Sequence, residues 1–127
     1  MRAVDTNVLV RLITRDDARQ AAAADRFIER GAWVSILALV EATWVLSAVY
    51  DRTHGDIAKA IEMLLHHQSL TLQDPDVVAA ALGSFKRRPA LGFSDCMLVE
   101  LARKAGHVPL GTFDRNLAKL EAAEGIR

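Results

Sequence analysis

Four acidic residues, Asp5, Glu41, Asp95 and Asp114, could do chemistry together. Glu41 is the most informative of them. It is the only charged residue between Arg30 and Asp51, and its neighbours include Leu37, Leu39, Val40, Ala42, Trp44 and Val45. A helix apolar on every face is a buried helix. A carboxylate buried there without a partner is costly or takes up a proton. An arginine from elsewhere in the chain could balance it, a narrow polar stripe could carry it to solvent, or a metal ion could neutralise it. The other three acids also have ordinary readings. Asp5 and Asp114 suit helix caps, and Asp95 suits a first helical turn, where the dipole favours an acid.

Their common placement is a stronger signal than any one of them. Asp5 and Asp114 each stand where a strand hands over to a helix, and Asp95 opens a helix. In open α/β folds with parallel strands, ligands bind at that carboxyl-end edge. If Glu41 points to the same place, four carboxylates converge. Two unit charges about 4 Å apart repel by about 4 kcal/mol at an effective dielectric near 20, so the cluster needs a counterion. All-oxygen, hard ligands select Mg²⁺ or Mn²⁺. One or two such ions suit in-line attack of water on a phosphodiester.

The elements that must position these acids follow from periodicity and punctuation. Residues 3–4 read as a strand, with Thr6 or Asn7 capping a helix over 8–13. Asp16 and Asp17 open a helix that runs through Glu29 and stops at Gly31. Residues 32–34 read as a buried strand, and Ser35 caps a helix to about residue 50. A second helix over 55–66 places Ile57, Ile61, Leu64 and Leu65 on one face. Residues 70–72 alternate as a strand. Pro75 starts a helix to about Phe85. Ser94 caps a helix over 95–104 closed by Gly106, residues 108–112 form a strand, and Asp114 opens a last helix to Glu121. Strands alternating with helices predict an α/β fold: a short, mostly parallel central sheet of about 4–5 strands sandwiched by about 6–7 helices.

Size and charge bound the function. With 127 residues, 51% hydrophobic and 25% charged, the chain suits one folded domain spanning 1–127. Disorder is excluded by that apolar content. A single cysteine, Cys96, excludes a disulfide framework and a Cys-rich zinc site. An early charge excludes a secretory signal, and no apolar run is long enough to span a membrane, so a cytoplasmic protein is expected. Sixteen basic residues balance sixteen acidic ones, which argues against nucleic-acid binding by bulk positive charge. With the four acids matched by bound cations, however, the remainder is modestly basic.

The residues together resemble the PIN-domain nucleases, specifically the VapC-type toxins of bacterial toxin–antitoxin pairs. The resemblance lies in Val4-Asp5-Thr6-Asn7-Val8-Leu9, the helix from Ser35 to Leu46 with Glu41, Phe93-Ser94-Asp95-Cys96-Met97-Leu98, and Gly111-Thr112-Phe113-Asp114. It implies a metal-dependent endoribonuclease that cleaves RNA. Asp5 and Asp95 would be the main Mg²⁺ or Mn²⁺ ligands, with Glu41 and Asp114 completing the acidic site. Thr6, Asn7 and Thr112 match positions that orient the carboxylates by hydrogen bonds. Thr112 is equally readable as a plain strand residue. The resemblance further implies a toxin role, a cognate antitoxin protein as partner, and a homodimer. The chain stops soon after its last expected helix, where many relatives carry a further strand, so that strand is expected to be short or absent.

Other groups have simpler readings. Lys86-Arg87-Arg88 is a helix end favoured by the dipole, or a phosphate contact. Arg11, Arg15 and Arg115 could face the acidic pocket, Arg115 first because it adjoins Asp114. His66 and His67 are adjacent, so they do not share a helix face and are poorly placed to ligate together. His54 and His107 read as turn residues. Cys96 reads as a buried thiol. Trp33 and Trp44 could stack on bases, but their apolar segments favour core or partner packing. Two competing readings remain: a non-catalytic α/β binding module whose acids are only helix caps, and a domain phosphorylated on Asp5. The second needs a nearby second Asp, which Thr6-Asn7 does not supply.

Overall fold

Short apolar runs, each bounded by a polar capping residue, set the elements. The computed structural model describes Met1–Arg127. In order it contains β1 (Arg2–Val4), α1 (Thr6–Thr14), α2 (Ala18–Ile28), β2 (Ala32–Val34), α3 (Ile36–Ala48), α4 (His54–His66), β3 (Leu70–Leu72), α5 (Pro75–Arg87), α6 (Phe93–Ala105), β4 (Leu110–Thr112) and β5 (Ala123–Gly125). A 3-10 turn, Leu117–Lys119, lies between the last two strands. The α/β class, parallel pairing and helix number are as expected. The sheet differs: the strands pair as β1-β2-β3 and, separately, β4-β5. Contacts divide the chain into two compact units, Met1–Pro75 and Asp76–Arg127.

In the first unit, β1, β2 and β3 run parallel, with Val4 opposite Val34 and Val34 opposite Leu72. Ala32, Val34, Leu70 and Leu72 are buried on one face, while Ala3, Trp33 and Thr71 form an exposed row on the other. Every parallel strand must be followed by a crossover, and the caps start those crossovers at one edge. Asp5 caps α1, displacing the expected Thr6 or Asn7, and Ser35 caps α3 by accepting the Ala38 amide. Gln73 at the end of β3 accepts the Ile36 amide at 2.9 Å, satisfying another open donor of α3. Thr53 and Asp56 form a reciprocal capping box on α4, which therefore begins at His54.

Helix α3 is not the fully buried helix its composition suggests. Its contacts are with α1 and α4, and Ala38, Leu39, Ala42 and Leu46 are the covered side chains. Leu37, Glu41 and Trp44 fall at intervals of four and three on the opposite stripe. Leu37 is 75% and Trp44 65% exposed, and Glu41 is exposed too. The carboxylate thus avoids a desolvation cost by facing solvent, the polar-stripe alternative. Trp44 is correspondingly no core residue.

In the second unit, Phe85 of α5 meets Phe93 of α6 edge to face at 5.8 Å between ring centres. Burying Phe93 draws it into the first helical position, so Gly92 is the N-cap and Ser94, already inside the helix, makes no cap. Gly106, at φ 81°, closes α6 in the left-handed conformation that glycine tolerates. The helix expected over 114–121 is only the 3-10 turn. Leu110 donates its amide to the Ala122 carbonyl, and Ala123–Gly125 pairs with Leu110–Thr112, so the chain must return to the strand before a longer helix can form. The further strand, expected to be short or absent, is present and three residues long.

Candidate active site

Each expected acid has a defined local setting. Asp5 follows β1 with extended backbone, and its Oδ1 accepts the Val8 amide at 3.1 Å. Its carboxylate is exposed and lies on a shallow groove of about 390 Å³ shared with Asn7, Val8, Arg11, Gln20 and Phe27. Glu41 stands on the outward, solvent-facing stripe of α3. In the second unit, Asp95 is the third residue of α6, the position where an acid complements the helix dipole. Asp114 accepts two amides on Oδ1, from Asn116 at 2.8 Å and Leu117 at 3.0 Å. Its own amide donates to Thr112 Oγ1 at 3.0 Å. Thr112 therefore holds Asp114 through the backbone, close to the orienting role expected of it. Thr6 and Asn7, by contrast, make no side-chain hydrogen bond to an acid.

The structure brings Asp5 and Asn7 together on one groove, and Thr112, Asp114 and Arg115 together on another. The second is a cleft of about 910 Å³ completed by Phe113, Ala118, Glu124, Gly125, Ile126 and Arg127. No group of three or more His, Cys, Asp or Glu side chains stands within common ligating reach. The donor chemistry nevertheless fits a hard cation. Asp5 and Asp114 each commit one carboxylate oxygen to a cap and keep the other, and Asp95 keeps both.

The basic candidates divide. Arg11 is held within the first unit: its guanidinium donates to Asp16 Oδ1 at 3.0 Å, to Tyr50 Oη at 2.9 Å and to Gln20 Oε1 at 2.5 Å. Those contacts, led by the Tyr50 bond, raise its pKa above the ordinary arginine value. Arg15 is engaged by Asp25 at 2.6 Å. Lys86 and Arg87 end α5 as expected. Arg87 and Arg88 line a cleft of about 430 Å³ with Arg103, Glu100 and Glu121. Arg115 is exposed beside Asp114. His67 accepts the Ser69 amide on Nδ1 at 3.1 Å, an end-of-helix role. Cys96 is fully buried, and burial, reinforced by the charges of Asp95 and Glu100, pushes its thiol up to about 11. It stays protonated and unreactive near neutrality.

Sequence reasoning missed Gln73, Tyr50, Phe113 and Arg127. Phe113 looks like the continuation of an apolar strand; only the Asp114 turn, which ends β4 at Thr112, turns it out to solvent.

The settings of these acids, at strand ends and helix starts of a parallel α/β fold, define the class of a small carboxylate-based hydrolase. The PIN domain profile matches residues 2–123, across both units, and the chain belongs to the PIN domain family, whose members are generally nucleases. No curated protein and no solved structure matches the chain. No helix is long and apolar enough to cross a membrane.

Proposed function

We propose that the chain is a metal-dependent endoribonuclease, with Asp5, Glu41, Asp95 and Asp114 as its acidic residues and Mg²⁺ or Mn²⁺ as its cofactor. The observation that carries this is the family match over residues 2–123, together with the exposed, partly uncommitted carboxylates at its motif positions. When bound, the cation polarises the scissile phosphate and lowers the pKa of water. The chain's own residues supply the rest. The Val8 amide fixes one Asp5 oxygen and so aims the other. Thr112, Asn116 and Leu117 fix Asp114 by three hydrogen bonds. Such outer contacts hold ligand carboxylates in one orientation.

The biological reading is a toxin neutralised by a cognate antitoxin protein and acting as a homodimer in the cytoplasm. It is supported by the motif resemblance and by the apolar residues Leu37, Trp44 and Val49 left exposed on and just after α3, which suit a protein contact. The test is cleavage of RNA by the purified protein with Mg²⁺ or Mn²⁺ and with a chelator, beside Asp95→Asn. Metal-dependent cleavage lost in the variant supports the reading. No cleavage by folded wild type under any metal, or equal cleavage by the variant, refutes it.

A further inference from the structure

Phe113 is, with Met1, the most exposed large apolar residue, at 79%, and it sits between two fixed neighbours. Thr112 ends a paired strand, and Asp114 is tied by its own amide and by two amides it accepts. The ring is therefore presented by a rigid turn. It lines the cleft of about 910 Å³, which also carries Arg115, Arg127 and Glu124. Gly111 shapes the neighbouring strand surface: a Cβ there would come within 3.0 Å of Ile126 Cδ1, so glycine lets the Ile126 side chain lie over β4.

An exposed ring beside guanidinium groups, in a cleft of nucleotide size and next to an acidic residue, matches the composition of single-strand nucleic-acid platforms, where bases stack on aromatics and cations track the backbone. We propose that Phe113 is a stacking platform for one unpaired base of the RNA substrate. Arg115 and Arg127 meet the flanking phosphates, and Glu124 accepts from the exocyclic amino group of a base that carries one. The proposal rests on the ribonuclease reading and adds a substrate-positioning residue to it. Single-stranded RNA is favoured because only an unpaired base can offer its face to the ring.

The test uses the full chain with Ca²⁺ in place of Mg²⁺ and a short single-stranded RNA carrying 2-aminopurine at successive positions. Binding of wild type should quench the probe at one position. F113A should lose that quench and weaken affinity by roughly 5- to 150-fold, F113Y should restore both, and F113L should restore affinity only in part. Sedimentation of F113A should match wild type. F113A that binds within twofold of wild type and still quenches overturns the platform, as does F113A that leaves RNA affinity intact but changes the oligomeric state, which would make Phe113 a protein contact. If wild type cleaves RNA while F113A binds normally, only the platform fails. If wild type neither binds nor cleaves RNA, the ribonuclease reading fails and the platform with it.

Discussion

Replacing Asp5 in two ways separates its structural work from its chemical work. Its Oδ1 accepts the Val8 amide and closes the first turn of α1. An asparagine side chain keeps that acceptor and caps as well as Asp does, so Asp5→Asn should change stability by less than about 0.5 kcal/mol. Asp5→Ala removes the acceptor and leaves an open amide, which should cost about 1 kcal/mol. For a chain of this length that is a fall of about 4 °C in Tm. Cleavage should respond differently. If the second oxygen of Asp5 holds a cation, both variants lose it, and both should lose metal-dependent RNA cleavage to a similar degree. Thermal unfolding by circular dichroism and cleavage of a labelled RNA read the two effects on the same preparations. Full activity in Asp5→Asn would refute the metal role. A stability loss in Asp5→Asn equal to that in Asp5→Ala would refute the capping argument.

Further expectations concern regions away from Asp5. The Asp16 carboxyl is held below its usual range, first by the Thr14 hydroxyl and then by Tyr50 and Arg11. A depressed folded value stabilises above the unfolded value near 4 and is lost as pH falls through the folded one. Asp16→Asn should therefore be destabilised against urea at pH 7, and the difference should shrink below about pH 4. Trp44 is mostly exposed, so Trp44→Ala should unfold within about 0.5 kcal/mol of wild type. If α3 forms the homodimer contact, the same variant should sediment as a monomer; a dimer with unchanged dissociation would exclude Trp44 from that contact. Leu39 is almost fully buried on the inner side of α3, and Leu39→Ala should cost about 2–5 kcal/mol in denaturant titration.

The first unit was legible because its signals are local. Asp17, Ser35 and Gly31 end or begin elements by their own side-chain or backbone chemistry, and the three strands alternate cleanly. Where reading failed, a distant partner decided. Phe93 joined α6 because Phe85 was there to cover it, and the helix after Asp114 was cut short because Leu110 and Ala122 pair. Glu41 misled for a related reason. A run of apolar residues signals burial only if both sides of the helix are covered, and α3 carries Leu37 and Trp44 on a side that is not. The candidate acids were legible as types and junction positions, since capping geometry places a residue at a strand's end. The platform at Phe113 was not, because exposure of an apolar ring leaves no trace in periodicity.

Cleavage of a labelled single-stranded RNA by the purified chain, followed with Mg²⁺, with Mn²⁺ and with excess chelator, decides most directly whether these carboxylates form a nuclease site. Internal cleavage that requires the metal, is abolished by chelation, returns on adding Mn²⁺ and is absent in Asp95→Asn is the predicted result. Cleavage that persists in chelator, or that Asp95→Asn performs at the wild-type rate, would contradict it.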